Sequence, residues 1–306
     1  MRVFVAGATG VAGRRAVQSL VAAEHRVSAV ARDSAKRRWL EEVGAAPVEV
    51  DLFEGDAVRS AVGGHDAVVN LTTKIPALAR AALPRAWNEN DRIRTHVSKN
   101  LVDAALATDA GSYIQESLAF MYPDSGDNWI DEDVPVDAPP HARTTLVAER
   151  QARRFSAAGG RGVVLRFGQF YAPDATHAES WVAVARRGLS PFPGPPDAFT
   201  PLVHADDVGR AIVAALEVPR GTYNVVDHEP LRQGRLAEIL AAALRVQRLR
   251  FAPTPLMRAG GAKVQMLMRS QRVSNRRFRE AAGWQPQFSS AADGFPQMVR
   301  EVVART

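Results

Sequence analysis

The clearest chemical potential lies near the start of the chain. In VFVAGATGVAGRRAVQSL, glycines recur at positions 7, 10 and 13. Glycines between a strand and a helix let backbone approach a diphosphate closely and let the helix pack tightly on the strand. Backbone N–H groups around Thr9, Gly10 and Val11, where the helix starts, then face the phosphates. Further on, the sequence reads Ala31-Arg32-Asp33. Ala31 leaves room, and Arg32 can clamp a phosphate through paired hydrogen bonds. A carboxylate at that place serves the opposite chemistry, accepting from ribose hydroxyls, so Asp33 keeps NAD open while Arg32 favours NADP.

A second candidate group lies in PPHARTTLVAER (139–150). It reads as a helix opening, which puts His141 and Thr145 one turn apart on the same face. An imidazole transfers protons near neutral pH, although the positive end of a helix disfavours its charged form. A surface histidine capping a loop is the ordinary alternative. The seven histidines show no metal-ligand spacing. The cluster Asp131, Glu132 and Asp133 reads as a solvated loop.

These residues need elements to hold them. Val3–Val5 form a short strand-like run, and Val11, Val17, Leu20 and Val21 mark the inner face of a helix ending near His25. Residues 27–30 make a second strand. The order strand, glycine turn, helix, strand is the context in which a glycine triplet binds a dinucleotide. The whole chain has 306 residues, 46% of them hydrophobic, which suits a large soluble core. It has no cysteine, which excludes disulfides and thiol chemistry and fits a cytoplasmic location. No leader pattern opens the chain, and no apolar run is long enough to span a bilayer. The net charge of +6 is carried almost wholly by arginine, the lysines being Lys36, Lys74, Lys99 and Lys263. The basic stretch RSQRVSNRRFRE (269–280) contains no nucleic-acid motif, so an arginine-rich protein handling acidic small molecules is favoured over a nucleic-acid binder.

The spacing Gly7-x-x-Gly10-x-x-Gly13 resembles that of the short-chain dehydrogenase/reductase superfamily, in particular its extended and atypical NAD-dependent epimerase/dehydratase branch. Later segments are similar in the same order. Asp51-Leu52 resembles the family's adenine-contacting turn. DAVVNLTT (66–73) resembles its fourth strand, with Leu71, Thr72 and Thr73 in the loop facing the cofactor. SYIQESLAFMYPD (112–124) looks like the fifth strand, which carries a catalytic serine, here Ser117, followed by Tyr122. RGVVLRFGQFYAPD, TPLVHADDVGRAIVAAL, GTYNVVDHEP and RVSNRRFREAAGWQPQF look like the remaining elements. The resemblance implies an α/β fold: a Rossmann-type doubly wound parallel sheet with a smaller C-terminal substrate lobe. It implies a dinucleotide domain over residues 1–170, to which 203–226 return, and a substrate lobe over 171–202 and 227–306. In the family the segment around His204, Asp206 and Asp207 is mainly structural.

The family's catalytic helix carries Tyr-x-x-x-Lys. The resemblance puts His141 at the tyrosine and Thr145 at the lysine, and no Tyr-x-x-x-Lys occurs anywhere in the chain. His141 is therefore the leading candidate proton donor, Ser117 a supporting donor and Tyr122 a fallback acid. The expected cofactor is NADP, with NAD possible, and the expected partners are a small-molecule substrate, no nucleic acid and no membrane, in a monomer or homodimer. The expected activity is that of an oxidoreductase or epimerase with a substituted proton donor. A non-redox lyase or isomerase, or a non-catalytic NADP sensor, are the alternatives.

Overall fold

In the computed structural model, which describes residues 1–76, 83–175 and 177–305, β1 (Arg2–Ala6) is buried from Val3 to Ala6. An uninterrupted apolar strand is what a sheet covered on both faces requires. Six further strands join it: β2 (Arg26–Val30), β3 (Ala46–Val48), β4 (Ala67–Asn70), β5 (Ser112–Leu118), β6 (Arg161–Phe167) and β7 (Gly221–Val225). They form one parallel sheet in the order β7-β6-β5-β4-β1-β2-β3. The order reverses between β1 and β4. The chain leaves the sheet there toward opposite faces and opens a crevice at the carboxyl ends of the strands.

Helices cover both faces. On one side α1 (Val11–Ala22) and α2 (Ser34–Glu42) bury Val17, Leu20 and Leu40 with Val208 and Ile212 of a later helix, and Phe278 and Trp284 complete this core. On the other side α3 (Gly55–Val62), α4 (residues 88–107) and α5 (Arg143–Ala157) bury Val58, Leu101, Val102 and Phe155. α4 is not regular throughout. A π-helical turn occupies Ile93–Val97, and there Arg94 points inward, pairs with the Glu116 carboxylate and donates to its carbonyl at 3.0 Å.

After β6 the chain makes α6 (Ala178–Arg186). It returns through α7 (Ala205–Ala215) to β7, and leaves again for α8 (Gln233–Leu244), α9 (Ala262–Met268), α10 (Arg276–Ala282) and α11 (Ala291–Arg305). A separate core joins Trp181, Phe192, Leu236, Leu240, Phe295 and Met298. α7 packs on α1 with almost no gap: a Cβ at Gly209 would stand 2.6 Å from the Arg15 carbonyl oxygen. Arg15 also ties α1 to the later segments. It binds Asp174 through two nitrogens and Asp206 at 3.1 Å.

The acidic loop differs from a solvated one. The side chain of Glu132 is buried, accepts from the Asn224 backbone N–H at 2.7 Å and pairs with Arg277, which also holds Asp133. Two arginines of the basic stretch likewise find partners within the molecule. Arg269 bonds Asp137, and Arg272 lies 4.1 Å over the Trp129 ring. Asp207 accepts from the backbone of Gln287 and Phe288, and His204 caps α7, so this acidic–imidazole group joins segments. Among the described residues no helix is long and apolar enough to cross a membrane, and no group of side chains has metal-ligand geometry.

Candidate functional site

The glycine turn leaves β1 at Gly7, whose φ of +83° is open to glycine at little cost. A Cβ there would lie 2.5 Å from the Leu71 carbonyl carbon and 2.8 Å from the Thr72 nitrogen, so Gly7 holds the loop after β4 against the turn. A Cβ at Gly13 would stand 2.1 Å from the Gly7 oxygen, which is the close helix-to-strand packing the spacing demands. Gly10 differs. Its absent side chain would meet nothing nearer than 3.7 Å, and it opens α1 as an N-cap without a side-chain cap. The space above Gly10 and the uncapped N–H groups that follow suit a diphosphate. Thr9 and Val11 flank it half-buried, and no acidic residue occupies the first turn of α1.

The loop after β4 is held from below. The Asn70 side chain accepts from the Thr72 backbone N–H at 3.1 Å and from its hydroxyl, and donates to Gln115 at 3.0 Å. Leu71 is buried and Thr73 exposed, so the loop presents backbone and a hydroxyl outward. Asp51 shapes its own turn by accepting from the Phe53 N–H at 3.0 Å, and the Leu52 carbonyl accepts from Asn100. At the end of β2, Asp33 is the N-cap of α2 and accepts from the N–H groups of Ala35 and Lys36. Arg32 beside it is exposed, and among the described residues it has no hydrogen-bond or ion-pair partner. Arg37 is engaged with Glu49. The carboxylate is thus committed to the helix and the guanidinium is free, which suits a 2′-phosphate. The cradle as a whole fits a nicotinamide dinucleotide.

The expected proton-transfer residues do not gather around one point. Ser117 is fully buried, and its hydroxyl donates to Glu149 at 2.7 Å. Arg166 binds both oxygens of that carboxylate at 2.9 Å and reaches the Tyr122 hydroxyl at 2.9 Å with its third nitrogen. Tyr122 is also fully buried and donates to Asn224. Burial pushes the Tyr122 hydroxyl above its usual range. For Glu149, burial acts upward, but the Arg166 hydrogen bond and charge outweigh it and hold the carboxyl below the usual value. Both hydroxyls therefore belong to an interior network that joins β5, α5 and β6. Strand alternation explains Ser117: neighbouring residues face opposite sides. Leu118 is the one turned the other way, onto Phe120, Met121, Ala142 and Met266.

His141 occupies a 3-10 turn, Pro140–Ala142, before α5, and Thr145 is buried beneath it. The imidazole packs on Trp87 with ring centres 4.8 Å apart, and its Nε2 is buried with no hydrogen-bond partner. Burial, reinforced by the Lys263 charge, keeps His141 neutral below the ordinary imidazole value. Two residues that the sequence reading did not single out, Trp87 and Lys263, meet His141 here, and a third, His177, packs on Trp181 within reach of the Lys263 charge. Trp87 comes from the start of α4. His177 precedes α6; its Nε2 is also buried without a partner, and burial drives its pKa down to about 4. Lys263 comes from α9 and places its ammonium 5.5 Å from the Trp87 ring centre. One signal pointed to Lys263: it is one of four lysines in an arginine-rich chain. The Trp87 indole joins the His141 imidazole to the Lys263 ammonium, and Leu118 and Met266 share an apolar cluster with Ala142, the residue after His141.

Comparison with known proteins gives three findings. The sequence model of the NAD-dependent epimerase/dehydratase family matches residues 3–226. A 3-diazoavenalumate denitrifying reductase from a Streptomyces species is 34% identical over 305 residues, covering 96% of this chain and 99% of the relative. Among solved structures, the human epimerase family protein SDR39U1 with NADPH superposes with a TM-score of 0.80 at 23% identity, covering 98% of this chain and 99% of that one. The UDP-glucose 4-epimerase of Thermotoga maritima with UDP-glucose gives 0.81 at 19% identity, covering 100% and 99%.

Proposed function

The chain belongs to the NAD-dependent epimerase/dehydratase family, and from that premise we propose that it is an NADPH-dependent reductase that removes the diazo group of a planar aromatic compound as dinitrogen. One observation carries the reading. The residues that fit a dinucleotide are present, while no Tyr-x-x-x-Lys occurs in the chain. Reducing a ketone requires an acid at the oxygen that becomes an alcohol. Here the aligned positions hold a neutral His141 and a buried Thr145, Ser117 is bound to Glu149, and Leu118 faces the other way.

A diazo group needs no such acid. The glycine turn, Arg32 and the 71–73 loop would hold the reduced dinucleotide, which when bound would supply a hydride; an arenediazonium that gained it would become an arene C–H plus dinitrogen, with atoms and charge balanced. The remaining work falls to the chain. Trp87, Leu118 and Met266 exclude water, which would otherwise convert a diazonium to a phenol. His141 offers a neutral imidazole nitrogen that orients a polar substituent without adding charge. The denitrifying relative, matched over nearly the full length of both chains, supports the same reaction class.

The test uses purified protein, NADPH deuterated at the transferring position, and a panel of arenediazonium acids, simple ketones and nucleotide sugars. The expected result is deuterium on the product ring and one dinitrogen released per NADPH oxidised. Turnover of ketones or nucleotide sugars alone would overturn the reading. Tight NADPH binding with no oxidation across the panel would replace it with a cofactor sensor.

A further inference from the structure

We propose that Lys263 is the anchor for a carboxylate on the aromatic substrate, making the site selective for planar conjugated acids. The proposal deepens the reading above and rests on it for the aromatic character of the ligand. Lys263 is half-buried. Its only polar contact among the described residues is the Pro76 carbonyl at 3.5 Å, and no carboxylate lies within ion-pairing distance. Residues 77–82, next in sequence to Pro76, contain no Asp or Glu.

Three other cations, on the segments that carry Pro76, Trp87 and Lys263, are already matched. Lys74 pairs with Glu89 at 2.7 Å, Arg94 with Glu116, and Arg269 with Asp137. Asp91, the acid nearest His141 in electrostatic influence, accepts from the Thr144 hydroxyl at 2.7 Å. Lys263 is left as a cation withdrawn partly from water, and such a group is unfavourable unless something compensates it. The Trp87 face gives part of that compensation. An anion would give the rest.

The surroundings specify the anion's carrier. The ammonium charge reaches both His141 and His177, each of which has a buried Nε2 without a partner. A carboxylate on Lys263 would offer an acceptor to the His141 nitrogen as an N–H donor. The Trp87 indole supplies a flat apolar surface beside them, and Met266, one turn beyond Lys263 on α9, adds to the apolar cluster with Leu118. The complementary ligand is a flat aromatic body ending in a carboxylate.

The experiment measures binding rather than turnover, by calorimetric titration of the NADPH-loaded protein with 4-hydroxycinnamate and with its methyl ester. The parent should bind the acid at least tenfold more tightly than the ester. Lys263→Met should erase that preference, and Lys263→Arg should restore most of it, with circular dichroism checking that each variant is folded. Equal affinity of acid and ester for the parent, absence of binding included, overturns the proposal. So does a preference that survives in Lys263→Met. A failed diazo panel with an intact Lys263-dependent preference would remove the proposed reaction and leave the anchor standing.

Discussion

At the scale of single residues, cofactor choice is the most exposed claim. Arg32 is free and Asp33 is occupied as the cap of α2. NADPH should therefore bind more tightly than NADH, and Arg32→Ala should weaken NADPH selectively by about 1.5–3 kcal/mol, the worth of a charged hydrogen bond. Equal dissociation constants for the two cofactors in the parent would refute this. The residues also show what a sequence can and cannot convey. The glycine triplet is legible because its chemistry is that of the backbone: only a missing Cβ fits the 2.1 Å and 2.5 Å approaches at Gly13 and Gly7. The direction of Ser117 is not, because a one-residue shift along a strand exchanges the two faces. Trp87, His141 and Lys263 meet only in three dimensions. They come from three separate elements and share no local pattern, so nothing along the chain connects them.

At the scale of elements, α1 has two duties. In the proposed binding mode its first turn carries the dinucleotide's phosphates, and it packs against α7 along its length. The absent side chain of Gly209 is what permits that contact, since a Cβ would lie 2.6 Å from both the Arg15 oxygen and the Ser19 hydroxyl. Gly209→Val should push the helices apart, lowering stability by about 1–3 kcal/mol. NADPH affinity should fall with it, because α1 cannot tilt without moving Gly10. Calorimetric melting and NADPH titration of the same variant check the coupling. Unchanged cofactor affinity beside a lowered melting temperature would show that the two ends of α1 act independently. The order of strand, glycine turn and helix was readable because periodicity and turn chemistry agree there. The π-helical turn at Ile93–Val97 was not, because it answers the buried Arg94–Glu116 pair, a contact between distant segments.

At the scale of the whole molecule, the fold class was legible because the family-like segments run in one order from residue 3 to 288, and a parallel sheet with covered faces follows from that order. The buried charges it encloses make stability depend on pH in both directions. His177 has a folded pKa of about 4 against an ordinary 6.5, so the unfolded chain binds more protons between those values. Its contribution is fully present above pH 6.5 and is lost as pH falls toward 4. Asp227, pushed well above the usual carboxyl value by burial, pulls the opposite way. A difference measurement isolates the histidine: the stability gap between parent and His177→Gln, read from urea unfolding, should shrink from pH 6.5 to pH 4 and stay level above. A gap that does not change with pH would contradict this assignment. The sheet order has a further consequence, for synthesis. β6 ends at Phe167, but its outer neighbour β7 begins only at Gly221. The nascent chain therefore carries an open strand edge while the ribosome makes the intervening segment, for roughly 3–12 s at ordinary elongation rates. During that interval the edge can pair with another emerging chain, so crowding on polysomes, rather than the stability of the finished protein, is the condition under which this topology is most exposed to misassembly.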